Sequence, residues 1–221
     1  MSAPIRILCL QGYAQSAEIF AYKTKYLRKV FKNDLAELVY IDAPFEVEPF
    51  DSPEKEEDSS EKEQPKIYGW FTPITAEDGT KKYCQGVDES IEYVENYMKT
   101  HGPFDGLLGF SQGAGLVSLL CARQTKNESP EESRFKFAMI FAGFKYPYAP
   151  HDAYYDQIID VPSMIVSGEA DGIISPERSD ELATCFVDPV VVKHSGGHVM
   201  PTKADCRKAF LEFVTKFKKS E

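Results

Sequence analysis

The reactive chemistry of this 221-residue chain centres on one pentapeptide, Gly109-Phe110-Ser111-Gln112-Gly113. It follows an apolar run and leads straight into the helix-forming Ala114-Gly115-Leu116-Val117-Ser118-Leu119-Leu120. Sixteen Ser and fourteen Gly placed at random give about 0.06 matches to G-x-S-x-G, so the strand-to-helix setting carries as much weight as the pattern. A sharp turn there lifts the serine hydroxyl clear of the backbone, and Gly at both flanks removes Cβ atoms that would clash. The bland alternative is a Gly-rich turn with an incidental Ser. The backbone N–H of Gln112, at the start of the helix, points to where negative charge develops on an attacked carbonyl.

A serine hydroxyl becomes a nucleophile at neutral pH only beside a base, and four histidines are available: His101, His151, His194 and His198. His101 precedes the strand that leads to Ser111, which places it at the opposite sheet edge. His151 sits in a Pro- and Tyr-rich loop without fixed geometry. In His194-Ser195-Gly196-Gly197-His198 two glycines allow a turn that carries His198 over the edge, so His198 is preferred and His194 stays a minority alternative. The base needs an acid to fix its tautomer. Ser167-Gly168-Glu169-Ala170-Asp171-Gly172 offers Glu169 and Asp171, of which Asp171 lies deeper in the loop. A lone Asp in a Gly-rich loop is more often a turn former; the order Ser111, Asp171, His198 after successive strands favours the catalytic reading. A second oxyanion donor is expected from the backbone N–H of Tyr13, which follows Gly12 at the end of the first apolar run.

Three such residues meet only if successive strands end at one edge of a sheet. Apolar runs at residues 5–10, 35–41, 104–110, 135–142, 161–166 and 189–192 alternate with helical patterns at 17–31, 87–100, 113–124, 176–186 and 203–218. The near-continuous apolar character of the runs suits strands buried on both faces. This alternation predicts an α/β fold with a mainly parallel sheet of about six strands, helices on both faces and functional loops at the strand C-terminal ends. No repeat or composition break divides the chain, so a single domain over 1–221 is expected.

Composition narrows the partners. The formal net charge is −10 and the pI about 5.0, which leaves no basic surface for nucleic acid. Residues 46–63 hold nine acidic side chains against Lys55 and Lys62; with Pro44, Pro49, Pro53 and Pro65 around them they predict a solvated acidic surface loop at about 46–65. Cys9, Cys84, Cys121, Cys185 and Cys206 form no CxxC or Cys/His cluster, which predicts reduced thiols and no metal site. No run approaches eighteen apolar residues and no signal-peptide core is present. A cytoplasmic protein, with the nucleus as a second location, neither secreted nor stably inserted in a membrane, is expected.

Leu10-Gln11-Gly12-Tyr13, the stretch from Gly102-Pro103-Phe104-Asp105 through Gly109-Phe110-Ser111-Gln112-Gly113-Ala114, Gly168-x-x-Asp171, and Ser195-Gly196-Gly197-His198-Val199-Met200-Pro201 together resemble the fungal-type serine hydrolase family, which includes the ovarian cancer gene 2 protein-like esterases. The resemblance spans nearly the whole chain. It implies an α/β-hydrolase fold, hydrolysis of carboxylic esters or thioesters of small molecules, the triad Ser111, Asp171, His198, and no cofactor. Two positions depart from the related pattern: Gln11 where His is common, and Ser175 before Pro176. The family places a Trp-Phe pair near Trp70-Phe71, as an acyl-pocket wall or as core packing. Tyr13, Phe110, Phe144, Ile173 and Met200 flank the triad in sequence, which favours an apolar acyl group. An inactive α/β scaffold that binds a ligand or protein, and a small peptidase, are the competing readings.

Overall fold

The computed structural model describes residues 3–48, 65–75, 82–146 and 149–218. Most of the acidic segment expected at about 46–65 lies outside them. Six parallel strands form the central sheet: β1 (Ile5–Leu10), β2 (Ala36–Ile41), β7 (Gly106–Phe110), β8 (Phe137–Phe141), β9 (Ser163–Gly168) and β10 (Val190–His194), in the order β10-β9-β8-β7-β1-β2. Two small antiparallel pairs lie between β2 and β7: β3 (Phe45–Glu46) with β4 (Tyr68–Gly69), and β5 (Thr72–Thr75) with β6 (Lys82–Gln85). The helices are α1 (Ala17–Lys23), α2 (Lys25–Leu35), α3 (Val87–His101), α4 (Gln112–Thr125), α5 (Ala149–Asp152), α6 (Pro176–Ala183) and α7 (Ala204–Thr215).

Strands β7, β8 and β9 are buried at every position, as expected for continuous apolar runs covered on both faces. The chain steps from β1 to β2 in one direction and from β7 through β10 in the other, so the order reverses between β1 and β7. Right-handed crossovers then place the two sets of helices on opposite faces: α2 packs against α7, and α3 against α4. The crevice outside the C-terminal ends of β1 and β7 is where such sheets bind ligands.

The helical pattern expected at 17–31 is two helices. Ser16 caps α1 by accepting the Ile19 N–H at 3.2 Å. At Thr24 the hydroxyl turns back to the Phe20 carbonyl at 2.6 Å and meets Tyr40 Oη at 2.7 Å, and the helix breaks there. In α3, Val87, Ile91, Val94 and Met98 form the buried stripe. Residues 112–122 of α4 are buried all round, between the sheet and its neighbours.

Candidate active site

Ser111 stands between β7 and α4 at φ 52°, ψ −114°, a left-handed conformation for a side-chain-bearing residue. The surrounding structure holds it there. Its N–H continues the sheet by donating to the Phe141 carbonyl at 2.9 Å, while its own carbonyl starts α4 by accepting from Gly115 at 3.0 Å. A Cβ at Gly109 would lie 2.5 Å from the Gly113 carbonyl oxygen, and one at Gly113 would collide with the Leu10 and Gln11 carbonyls. Both glycines therefore let the turn close.

The loops after β9 and β10 extend the pairing of their strands. Glu169 donates to the His194 carbonyl at 2.8 Å and Ala170 to that of Gly196 at 3.1 Å, and Gly168 leaves room for the Gly196 and Gly197 carbonyls. This brings Asp171 to His198. Asp171 Oδ2 lies 2.8 Å from His198 Nδ1, and His198 Nε2 lies 2.9 Å from Ser111 Oγ. The other carboxylate oxygen accepts the N–H groups of Ile173 at 2.8 Å and Ile174 at 2.9 Å. A carboxylate only accepts, so Nδ1 carries the ring proton and Nε2 offers its lone pair to the serine hydroxyl. The Asp171 side chain is 1% exposed and that of His198 17%, and the Phe110 ring lies 4.9 Å from the imidazole. Such a chain can withdraw the hydroxyl proton as Oγ attacks a carbonyl carbon.

Gln112 opens α4, so its N–H faces outward at the helix N-terminus. The close approach at Gly113 sets this end of α4 against the loop Gln11-Gly12-Tyr13, with Gly12 against the Phe110 ring and the Tyr13 ring over Gly69. A buried hydrogen-bond lattice ties these pieces together. Gln112 Oε1 accepts from Trp70 N at 2.7 Å, Gln112 Nε2 donates to the Phe71 carbonyl at 2.8 Å, and Trp70 Nε1 donates to the Gln11 carbonyl at 2.9 Å. Ser90 Oγ donates to the Trp70 carbonyl. With its amide oriented to satisfy both neighbours, the Gln11 side chain donates to the Ile41 carbonyl at 2.6 Å and accepts from Ala43 N at 3.0 Å. It thereby sutures the ends of β1 and β2.

Residues 1–210 match the family described as serine hydrolase (FSH1). This chain belongs to that family. Among relatives, the Esterase OVCA2 of Danio rerio is 37% identical over 232 residues, covering 98% of this chain and all of its own. The Homo sapiens Esterase OVCA2 is 35% identical and covers 97% of each chain. Solved structures share the α/β-hydrolase fold at low identity. Acyl-protein thioesterase 2 of Zea mays aligns over 99% of this chain and 96% of its own, with TM-score 0.65 and 15% identity. The Bacillus cereus carboxylesterase covers 98% and 90%, with TM-score 0.60 and 13% identity.

The other three histidines of this serine hydrolase are placed elsewhere. His194 is buried, its Nδ1 accepts the Gly196 N–H at 3.1 Å, and burial holds its pKa below the ordinary value. His101 is exposed at the end of α3 and stacks on Tyr97. His151 is buried, with Nε2 3.0 Å from Asp88. Glu169 is exposed. All five cysteines are buried free thiols, and burial pushes their pKa up. Among the described residues no group of three or more His, Cys, Asp or Glu is arranged to hold a metal, and no helix is long and apolar enough to cross a membrane.

A cavity of about 290 Å³ beside His198 is lined by Phe20, Lys23, Phe110, His198, Val199 and Met200. Of the apolar residues expected around the substrate, Phe110 and Met200 reach this cavity, while the Tyr13 ring lies over Gly69. Trp70 has no exposed surface and belongs to the core, where it holds the Gln11 carbonyl. Phe71 packs edge-on to Tyr146 at 4.7 Å. Phe144 is buried against Gly115, with the Arg178 guanidinium 4.6 Å from its ring centre, and Ile173 is 68% exposed. The pocket-wall expectation rested on the family resemblance for Trp70 and Phe71, with core packing as its alternative, and on nearness in sequence to the triad for Phe144 and Ile173; the fold turns the three rings into the core and the Ile173 side chain to solvent. The side chains of Gln11 and Gln112 had no sequence signal, because their partners come from distant segments.

Proposed function

We propose that this serine hydrolase cleaves carboxylic esters or thioesters through an acyl-enzyme on Ser111. Ser111 Oγ attacks the acyl carbon while His198 Nε2 takes its proton. Asp171 holds the imidazole tautomer and stabilises the imidazolium, and the N–H groups of Gln112 and Tyr13 receive the developing oxyanion. His198 then gives its proton to the leaving atom, and a water deprotonated by the same imidazole releases the acid. The apolar residues beside His198 suit a substrate with an apolar segment next to the scissile bond.

The observation that carries this reading is the continuous hydrogen-bonded chain from Asp171 through His198 to Ser111, at 2.8 and 2.9 Å. An inactive scaffold has no use for a serine held in a left-handed conformation against a base. The test is turnover of a panel of p-nitrophenyl esters and acyl thioesters by the protein and its Ser111→Ala variant. Turnover that vanishes in the variant supports the reading, whereas turnover that survives refutes it.

A further inference from the structure

In the tetrahedral intermediate three substituents of the reacting carbon need separate places around Ser111. The oxyanion lies against its N–H donors. The leaving atom must lie against His198 Nε2, because that nitrogen hands it the proton taken from Ser111. The acyl substituent takes the remaining direction. The elements that frame the oxyanion side pack on Trp70, Phe71 and Gly69, and none of these lines the cavity. Its boundary is the imidazole itself, the two residues that follow it, and Phe20, Lys23 and Phe110.

We propose that this cavity is the leaving-group subsite, and that it takes an alcohol or thiol with an apolar stem ending in an anionic group paired with Lys23. This rests on the ester-cleaving reading above and adds to it the class of leaving group. Phe20 is 1% exposed and Phe110 7%, so the stem meets a rigid aromatic floor, their rings stacked with centres 6.3 Å apart. Lys23 closes α1, lines the cavity and is exposed, which puts its ammonium within reach of the mouth. Among the described residues no ion pair holds it. On a chain of formal charge −10, a cation at the mouth of the cleft gives an anionic group a local point of attraction. A lysine stem that merely covers Phe20 would make the same apolar contact without reading charge, and the two roles separate in kinetics.

The step is acyl transfer: the Oγ–C bond forms, the C–O or C–S bond to the leaving group breaks, and the serine proton passes through His198 to the departing oxygen or sulfur. The probes are the butyrate esters of 4-hydroxybenzoate and of methyl 4-hydroxybenzoate, which leave the same butyryl-enzyme and differ only by a carboxylate on the leaving group. Lys23→Met is expected to lower kcat/KM for the carboxylate ester about fivefold relative to the neutral one, the upper range of a solvent-exposed pair. Lys23→Glu deepens the bias. The butyryl-enzyme, having lost the leaving group, should break down at one rate whichever ester formed it. If Lys23→Met changes both esters alike, the charge is not read. If it slows breakdown of the butyryl-enzyme as much as its formation, the cavity holds the acyl group; either result overturns the assignment. A wild-type protein that cleaves neither ester overturns the ester-cleaving reading itself.

Discussion

Asp171 uses both carboxylate oxygens, one on two backbone N–H groups and one on the imidazole. In Asp171→Asn the Oδ1 contacts survive, but an amide NH2 faces Nδ1 and favours the tautomer with the proton on Nε2, which cannot accept from Ser111. Folding should stay near normal by circular dichroism while kcat falls by up to roughly four orders of magnitude. Glu169→Gln, at an exposed position of the same loop, should cost about tenfold or less. The reverse pattern would exchange the two roles. That Ser111, Asp171 and His198 would come together was legible in the sequence because each follows a strand of a parallel sheet, so chain order translated into place. The lattice around Trp70 was not legible. Trp70 lies 42 residues from its Gln112 partner and 59 from its Gln11 partner in sequence, and no local pattern marks a glutamine whose amide will pair with a distant backbone.

Among the elements, the segment carrying β4 and Trp70-Phe71 shows how packing supports chemistry. Trp70 is fully buried, and its ring N–H holds the loop that presents Tyr13. Trp70→Ala should therefore lower stability by roughly 3–5 kcal/mol and reduce turnover of acetyl and longer acyl esters by similar factors. Denaturant unfolding beside a chain-length series checks both. A selective loss of the longer esters at unchanged stability would return Trp70 to a pocket wall. The six strands of the sheet fell close to the apolar runs that predicted them; burial on both faces leaves a continuous signal in β7, β8 and β9, while the half-buried edge strands β2 and β10 were marked by their β-branched and aliphatic residues. The break between α1 and α2 did not show, because Thr24 is an ordinary helix residue until Tyr40 and the Phe20 carbonyl engage its hydroxyl. The two-residue pairing of β3 with β4 likewise depends on tertiary contact and leaves no period to read.

For the whole molecule, His194 contributes a pH dependence of stability. Its pKa is lowered by burial from the ordinary 6.5, so between the lowered value and 6.5 the unfolded chain binds more protons than the folded one. Its contribution to stability is complete above about pH 6.5 and is lost as pH falls through that range. His194→Asn places an acceptor near the Nδ1 position without a titrating ring, and should flatten the fall in unfolding free energy between pH 7 and 5. An unchanged slope would mean that other groups set it. The sixteen serines offer the most direct test of the account at this scale, because among the described residues Ser111 is the one serine that combines a positive-φ turn with a histidine base. The native protein treated with a fluorophosphonate, digested and mapped by mass spectrometry should carry one adduct, on Ser111, and Ser111→Ala should carry none. An adduct on another serine, or no adduct on well-folded protein, would contradict the assignment of Ser111 as the nucleophile.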